Sequence, residues 1–104
     1  MIALKLSEIA RITGGRLVGA LEAIGAAGAD PLVDGPVVTD SREATDGSLY
    51  VARIGDELDG HQFVAAARSQ GAVGALTSRP VAELPSVVVQ DVQAAFVSLA
   101  HALV

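Results

Sequence analysis

Short apolar, β-branched runs bounded by turn residues recur through the second half of the chain. Pro36-Val37-Val38-Thr39, Ser48-Leu49-Tyr50-Val51-Ala52, Val73 to Thr77 and Val87-Val88-Val89 each predict a strand. The stretches between them change period. From His61 to Gln70 a helical spacing puts Phe63, Val64, Ala66 and Ala67 on one side, and Gly71 follows where a C-terminal glycine belongs. After the breaks at Arg79-Pro80 and Pro85, Asp91 is placed to cap a helix over 92–104 with Val92, Ala95, Phe96, Leu99 and Leu103 on one face. From residue 36 onward the predicted order is therefore strand, strand, helix, strand, strand, helix.

The N-terminal third carries less pattern. Leu6, Ile9, Ala10 and Thr13 follow helical spacing, so a helix over 7–13 is predicted, with Ser7 as its cap and Gly14-Gly15 as its left-handed stop. Arg16 to Val18 reads as a brief strand. Gly19 to Gly35 is rich in Gly and Ala without a period and reads as a mobile or variable loop. Together these elements predict one α/β domain over residues 1–104, a mixed or mainly parallel sheet flanked by helices. The last helix runs to Val104 without a stop signal, which leads us to expect that it continues in a longer chain.

Composition narrows the core and the partners. Apolar residues make up 51% of the chain but aromatics only 3%, so the core is built from Ala, Val, Leu and Ile. Seven basic and twelve acidic side chains leave a net charge of −5 with no Lys/Arg cluster, which argues against nucleic acid as a partner. Cysteine is absent, so disulfides and thiolate chemistry are excluded. No apolar run approaches the roughly 18 residues of a membrane span, and no signal-peptide layout opens the chain, so a cytoplasmic protein without membrane contact is expected.

Candidate chemistry concentrates in two polar loops. Thr39-Asp40-Ser41-Arg42 offers hydroxyls, a carboxylate and a guanidinium able to fork onto a phosphate. The alternative reading is an Asx-type turn in which Arg42 makes a structural ion pair. Gly55-Asp56-Glu57-Leu58 and Asp59-Gly60-His61 read as turns whose backbone amides could meet a base edge, with Asp59 capping the next helix. His61 reads as a cap or packing residue and His101 as a surface residue. No Gly-x-x-x-x-Gly-Lys-Ser/Thr loop, Gly-x-Ser-x-Gly elbow or His-Glu-x-x-His pair occurs, so no catalytic residue and no metal ligand is assigned.

Taken in order, Thr39-Asp40-Ser41-Arg42, Leu49-Tyr50-Val51-Ala52, Gly55, Asp59-Gly60-His61-Gln62-Phe63 and the Ala-rich helix resemble the N-terminal domain of the Mur ligases of peptidoglycan synthesis. Ser78-Arg79-Pro80, Val87-Val88-Val89 with Asp91, and Ala95-Phe96 with Leu99-Ala100 are most similar to the member that adds D-alanyl-D-alanine to UDP-N-acetylmuramoyl-tripeptide. The resemblance implies a domain that grips the UDP end of that substrate, with Thr39, Ser41 and Arg42 on one side of the base and Asp56, Glu57 and Leu58 on the other. It also implies that ATP and Mg²⁺ serve the whole ligase through a central and a C-terminal domain that lie outside this chain, and that this piece alone is inactive. Arg53 stands where a leucine is usual in the family. Two alternatives remain: the ligase that adds the third peptide residue, and a free-standing nucleotide-binding or interaction module.

Overall fold

The computed structural model describes residues 3–18, 32–53, 59–81 and 83–102. Strands β1 (Leu4–Lys5), β2 (Arg16–Val18), β3 (Leu32–Val33), β4 (Val37–Val38), β5 (Leu49–Val51), β6 (Gly74–Thr77) and β7 (Ser86–Val88) alternate with helices α1 (Leu6–Thr13), α2 (Val64–Ser69) and α3 (Val92–Ala102). A five-stranded sheet has the order β2-β7-β6-β5-β4. Its β4, β5, β6 and β7 run parallel, and β2 joins antiparallel to β7 at the edge. The mainly parallel α/β architecture expected from the pattern is present.

The parallel strands are buried on both faces, as parallel sheets are. Side chains alternate between two cores. Leu49, Val51, Leu76 and Val87 pack with Leu6 and Ile9 of α1 and Val92, Ala95 and Leu99 of α3. Tyr50, Ala52 and Ala75 pack on the opposite face with Val64 and Ala67 of α2 and with Ala44. Helices thus cover both faces, and the loops after the four parallel strands gather at one edge.

Local signals explain the helix ends. Gly14 adopts φ 70 and stops α1, and Asp91 Oδ1 accepts the Ala94 N–H at 3.1 Å at the start of α3. Gly47 (φ 81) turns the chain into β5, and its N–H donates to Gly71 O at 3.0 Å, tying that turn to the end of α2.

Four expectations change. The first helix starts at Leu6, because that side chain is fully buried, so Ser7 falls inside the first turn and the cap position is Lys5, whose N–H donates to Glu8 Oε1 at 3.0 Å. Within the segment read as a patternless loop, Leu32–Val33 form a strand paired antiparallel with Leu4–Lys5, and Val33 is buried; residues 19–31 lie outside the described residues. The helix expected from His61 is two elements, a 3₁₀ turn at Gly60–Phe63 and then α2. That tighter turn leaves Phe63 at the surface, and Ala66 is exposed as well, so Val64 and Ala67 alone carry the apolar face. Leu103 and Val104 lie outside the described residues.

Candidate functional site

At the carboxyl edge of the sheet the loop after β4 forms a 3₁₀ turn over Ser41–Glu43, capped by Asp40. One carboxylate oxygen of Asp40 accepts the Arg42 backbone N–H at 2.9 Å. The same carboxylate takes Arg42 Nε at 3.1 Å and NH2 at 2.8 Å. These bonds, the side-chain ones first, hold the Asp40 carboxyl down at about 2 and push the Arg42 guanidinium above its ordinary value. The Asx-turn alternative with a local ion pair is therefore the geometry present. It commits two of the five guanidinium N–H donors of Arg42 to Asp40 while the side chain remains 86% exposed.

The hydroxyls beside this ion pair are differently placed. Ser41 is buried and Thr39 half-buried, and neither side chain makes a hydrogen bond in the described structure. Both line a concavity of about 720 Å³ together with Asp40, Arg42, Tyr50, Arg53, Gly60, Phe63 and Ala66. Three of the six residues expected at a ligand, Thr39, Ser41 and Arg42, are thus brought together, and Asp56, Glu57 and Leu58 lie outside the described residues. Tyr50, Arg53 and Phe63 were not among the residues expected at a ligand, whereas Gly60 belongs to the Asp59-Gly60-His61 turn read as able to meet a base edge. A positional signal was available for Arg53 alone, which follows β5 at the edge where α/β sheets bind ligands; Tyr50 lies within β5 and Phe63 ends the 3₁₀ turn, and neither position marks a ligand contact in sequence.

The floor of the concavity is braced. The Tyr50 ring is buried and its hydroxyl donates to Gly60 O at 2.8 Å. Burial first, then the nearby Asp40 and Asp59 carboxylates, push the phenol above its ordinary value, so it stays a donor. The Gly60 N–H donates to Arg53 O at 2.7 Å, and a Cβ at Gly60 would stand 2.6 Å from that same oxygen, so only glycine permits the approach. The chain therefore leaves the sheet at Arg53 and returns at Gly60 through a fixed neck.

A second network anchors the returning strand. Asp59 Oδ1 accepts the His61 backbone N–H at 2.9 Å and His61 Nδ1 at 2.6 Å, and Asp59 Oδ2 accepts Arg79 NH2 at 2.9 Å. On the far side of the buried ring, Nε2 accepts the Ser78 backbone N–H at 3.0 Å, which assigns the ring proton to Nδ1. Both ring nitrogens are engaged within the fold, so His61 ties the loop to the end of β6, as a packing residue does. The donors to Asp59, the His61 backbone first, hold its carboxyl well below the usual carboxylate range. Among the described residues no three His, Asp or Glu side chains are grouped to hold a metal ion, and no helix is long and apolar enough to cross a membrane.

Comparison with known proteins follows the same segments. Residues 36–103 match the family described as "Mur ligase family, catalytic domain". The UDP-N-acetylmuramoyl-tripeptide--D-alanyl-D-alanine ligase of Escherichia coli K12 is 39% identical over 101 residues, covering 96% of this chain and 20% of that protein. The UDP-N-acetylmuramoyl-L-alanyl-D-glutamate--2,6-diaminopimelate ligase of Parabacteroides distasonis is 46% identical over 55% of this chain and 12% of its own length. A crystal structure of MurF from Acinetobacter baumannii superimposes with a TM-score of 0.74 at 26% identity, over 95% of this chain and 20% of that one. The chain spans about a fifth of the length of the first of these relatives.

Proposed function

Because the chain belongs to the Mur ligase family, we propose that it is the domain that grips the UDP end of UDP-N-acetylmuramoyl-tripeptide for an ATP-dependent ligase adding D-alanyl-D-alanine. The observation that supports this reading is the concavity at the carboxyl edge, where the Thr39 and Ser41 hydroxyls stand without partners in its wall. A hydroxyl both donates and accepts, so the pair suits the alternating acceptors and donor on the edge of a uracil. Phe63 lines the same concavity and is exposed, the one phenylalanine there on which a base would stack. The similarity to the D-alanyl-D-alanine ligase runs over 96% of the chain and that to the diaminopimelate ligase over 55%, which favours the former as the parent enzyme.

The residues of this chain bind and orient. The sequence holds no glycine-rich lysine loop for a triphosphate, so no step of ATP chemistry is derived for it. ATP and Mg²⁺ belong, in this reading, to the rest of the ligase, and Asp56, Glu57 and Leu58 would close over the opposite side of the base.

Titration of the chain with UDP and with CDP, followed by amide NMR, tests the proposal. UDP should bind with a Kd of roughly 0.1 to 5 mM, since one end of a large substrate is held. Shifts should cluster at residues 39–42, 50, 60 and 63 and should favour uracil over cytosine. Ser41→Ala should weaken UDP by about 0.5 to 1.5 kcal/mol, the worth of one neutral hydrogen bond. Equal response to both bases, or shifts confined to another surface, would sink the reading.

A further inference from the structure

Four arginines stand at the carboxyl edge of the sheet, and they differ in what already occupies them and in which hollow they line. Arg16, opposite Val88 at the start of the antiparallel β2, lines a concavity with Ser78, Gln90 and Asp91 that does not include Thr39 or Ser41. Arg42 is forked onto Asp40 at 2.8 Å, and Arg79 is held by Asp59 at 2.9 Å. Among the described residues the Arg53 guanidinium has neither a hydrogen bond nor an ion pair, although the side chain is exposed in the same region. The Arg53 backbone is bonded through both its N–H and its carbonyl. Arg53 N donates to Val51 O at 3.1 Å, and Arg53 O accepts from Gly60 at 2.7 Å, so the guanidinium swings from a fixed root.

Arg53 also occupies a boundary. It lines the concavity that contains Thr39 and Ser41, and it lines an adjoining one of about 450 Å³ that contains Ser78, Gln90 and Asp91. A ligand too long for the first hollow would pass this side chain on entering the second. The chain carries a net charge of −5, and screening over about 8 Å at physiological salt makes the nearest cation decide how an anion is received. The charges of Arg42 and Arg79 are already matched by a carboxylate, whereas the Arg53 charge has no partner among the described residues, and of the two arginines of this edge without a partner only Arg53 lines the concavity of Thr39 and Ser41.

We propose that Arg53 is the anion contact of this edge, a residue that selects nucleoside diphosphates over the free nucleoside by meeting the phosphates between the two concavities. The assignment rests on the nucleotide reading given above. The chemistry is a charge-assisted, forked hydrogen bond from the guanidinium to phosphate oxygens, with no bond made or broken.

Amide NMR titrations of the full chain, of Arg53→Gln and of Arg53→Lys with uridine, UMP and UDP test it. In the parent chain UDP should bind roughly 3- to 10-fold more tightly than uridine, the range of one exposed charge-assisted contact, and that advantage should shrink as salt is raised. Arg53→Gln should bring UDP to the uridine level and remove the salt dependence while leaving uridine within about two-fold, and Arg53→Lys should restore part of the advantage. The substituted side chain is exposed, so amide spectra away from residue 53 should match the parent. If Arg53→Gln keeps the full preference for UDP, the assignment is wrong while the nucleotide reading of the concavity stands. If uridine itself fails to shift Thr39 and Ser41, the nucleotide reading falls, and this assignment falls with it.

Discussion

The two faces of the five-stranded sheet are built from different sizes of side chain. Toward α1 and α3 the strands present Leu49, Val51, Leu76 and Val87, met by Ile9 and Leu99. Toward α2 alanines predominate: Ala52 and Ala75 are met by Ala67 and Ala72, with Val38, Val64 and Leu84 the aliphatic groups and Tyr50 the one aromatic ring of that core among the described residues. Fully burying a leucine or valine is worth about 1.5 to 3 kcal/mol, while an alanine contributes far less area. The aliphatic face therefore carries most of the stability. The alanine face lets a short helix approach closely and leaves its carboxyl edge open, where Tyr50 turns its hydroxyl to Gly60 and braces the concavity. The face that contributes least burial is the one that shapes the candidate site.

The strongest way to break this comparison is to cut into the aliphatic face. Leu76→Ala removes a fully buried side chain from the middle of the sheet and should lower unfolding free energy by about 2 to 5 kcal/mol. Urea denaturation would measure it, and UDP-induced shifts should survive in the folded fraction. A loss below about 1 kcal/mol would show that this face does not dominate.

Tyr50→Phe probes the other face with a single atom. It keeps the ring, removes the donor to Gly60 O, and leaves that carbonyl with one partner fewer. A smaller loss, about 1 to 2 kcal/mol, is expected, together with weaker UDP binding and altered amide shifts at Gly60 and His61. Unchanged binding with the full stability loss would separate the brace from the site.

The smallest expected effect is a pH dependence confined to the site edge. Asp40 and Asp59 both have folded values below their ordinary ones, Asp40 at about 2. Their contribution is therefore present above the unfolded value near pH 4 and is lost as pH falls below it toward the folded values. Asp59→Asn should flatten the acid limb between about pH 4 and 2, read by thermal melts, and leave the neutral-to-alkaline range alike in both proteins. An acid limb identical to the parent's would mean that the Asp59 network does not help hold the fold.

Local chemistry made much of the fold legible. The continuous apolar run Leu49-Tyr50-Val51-Ala52 marked a buried strand, Gly14 marked the end of α1, and Asp91 marked the start of α3, because each signal acts over a few neighbouring residues. The paired strands Leu4–Lys5 and Leu32–Val33 left no such mark, since two residues are too few to display a period and their partner lies far along the chain. The site divides in the same way. Thr39, Ser41 and Arg42 could be picked out as polar residues in a turn after a strand. The Asp40–Arg42 pair, two residues apart, and His61 as a packing residue were readings the sequence already offered, because both rest on contacts within one turn. That Arg53 has no partner among the described residues, that Tyr50 reaches Gly60, and that His61 Nε2 takes the Ser78 N–H were decided by tertiary structure. A side chain's type states which bonds it can make, and its neighbours in space determine which of those bonds are left for a ligand.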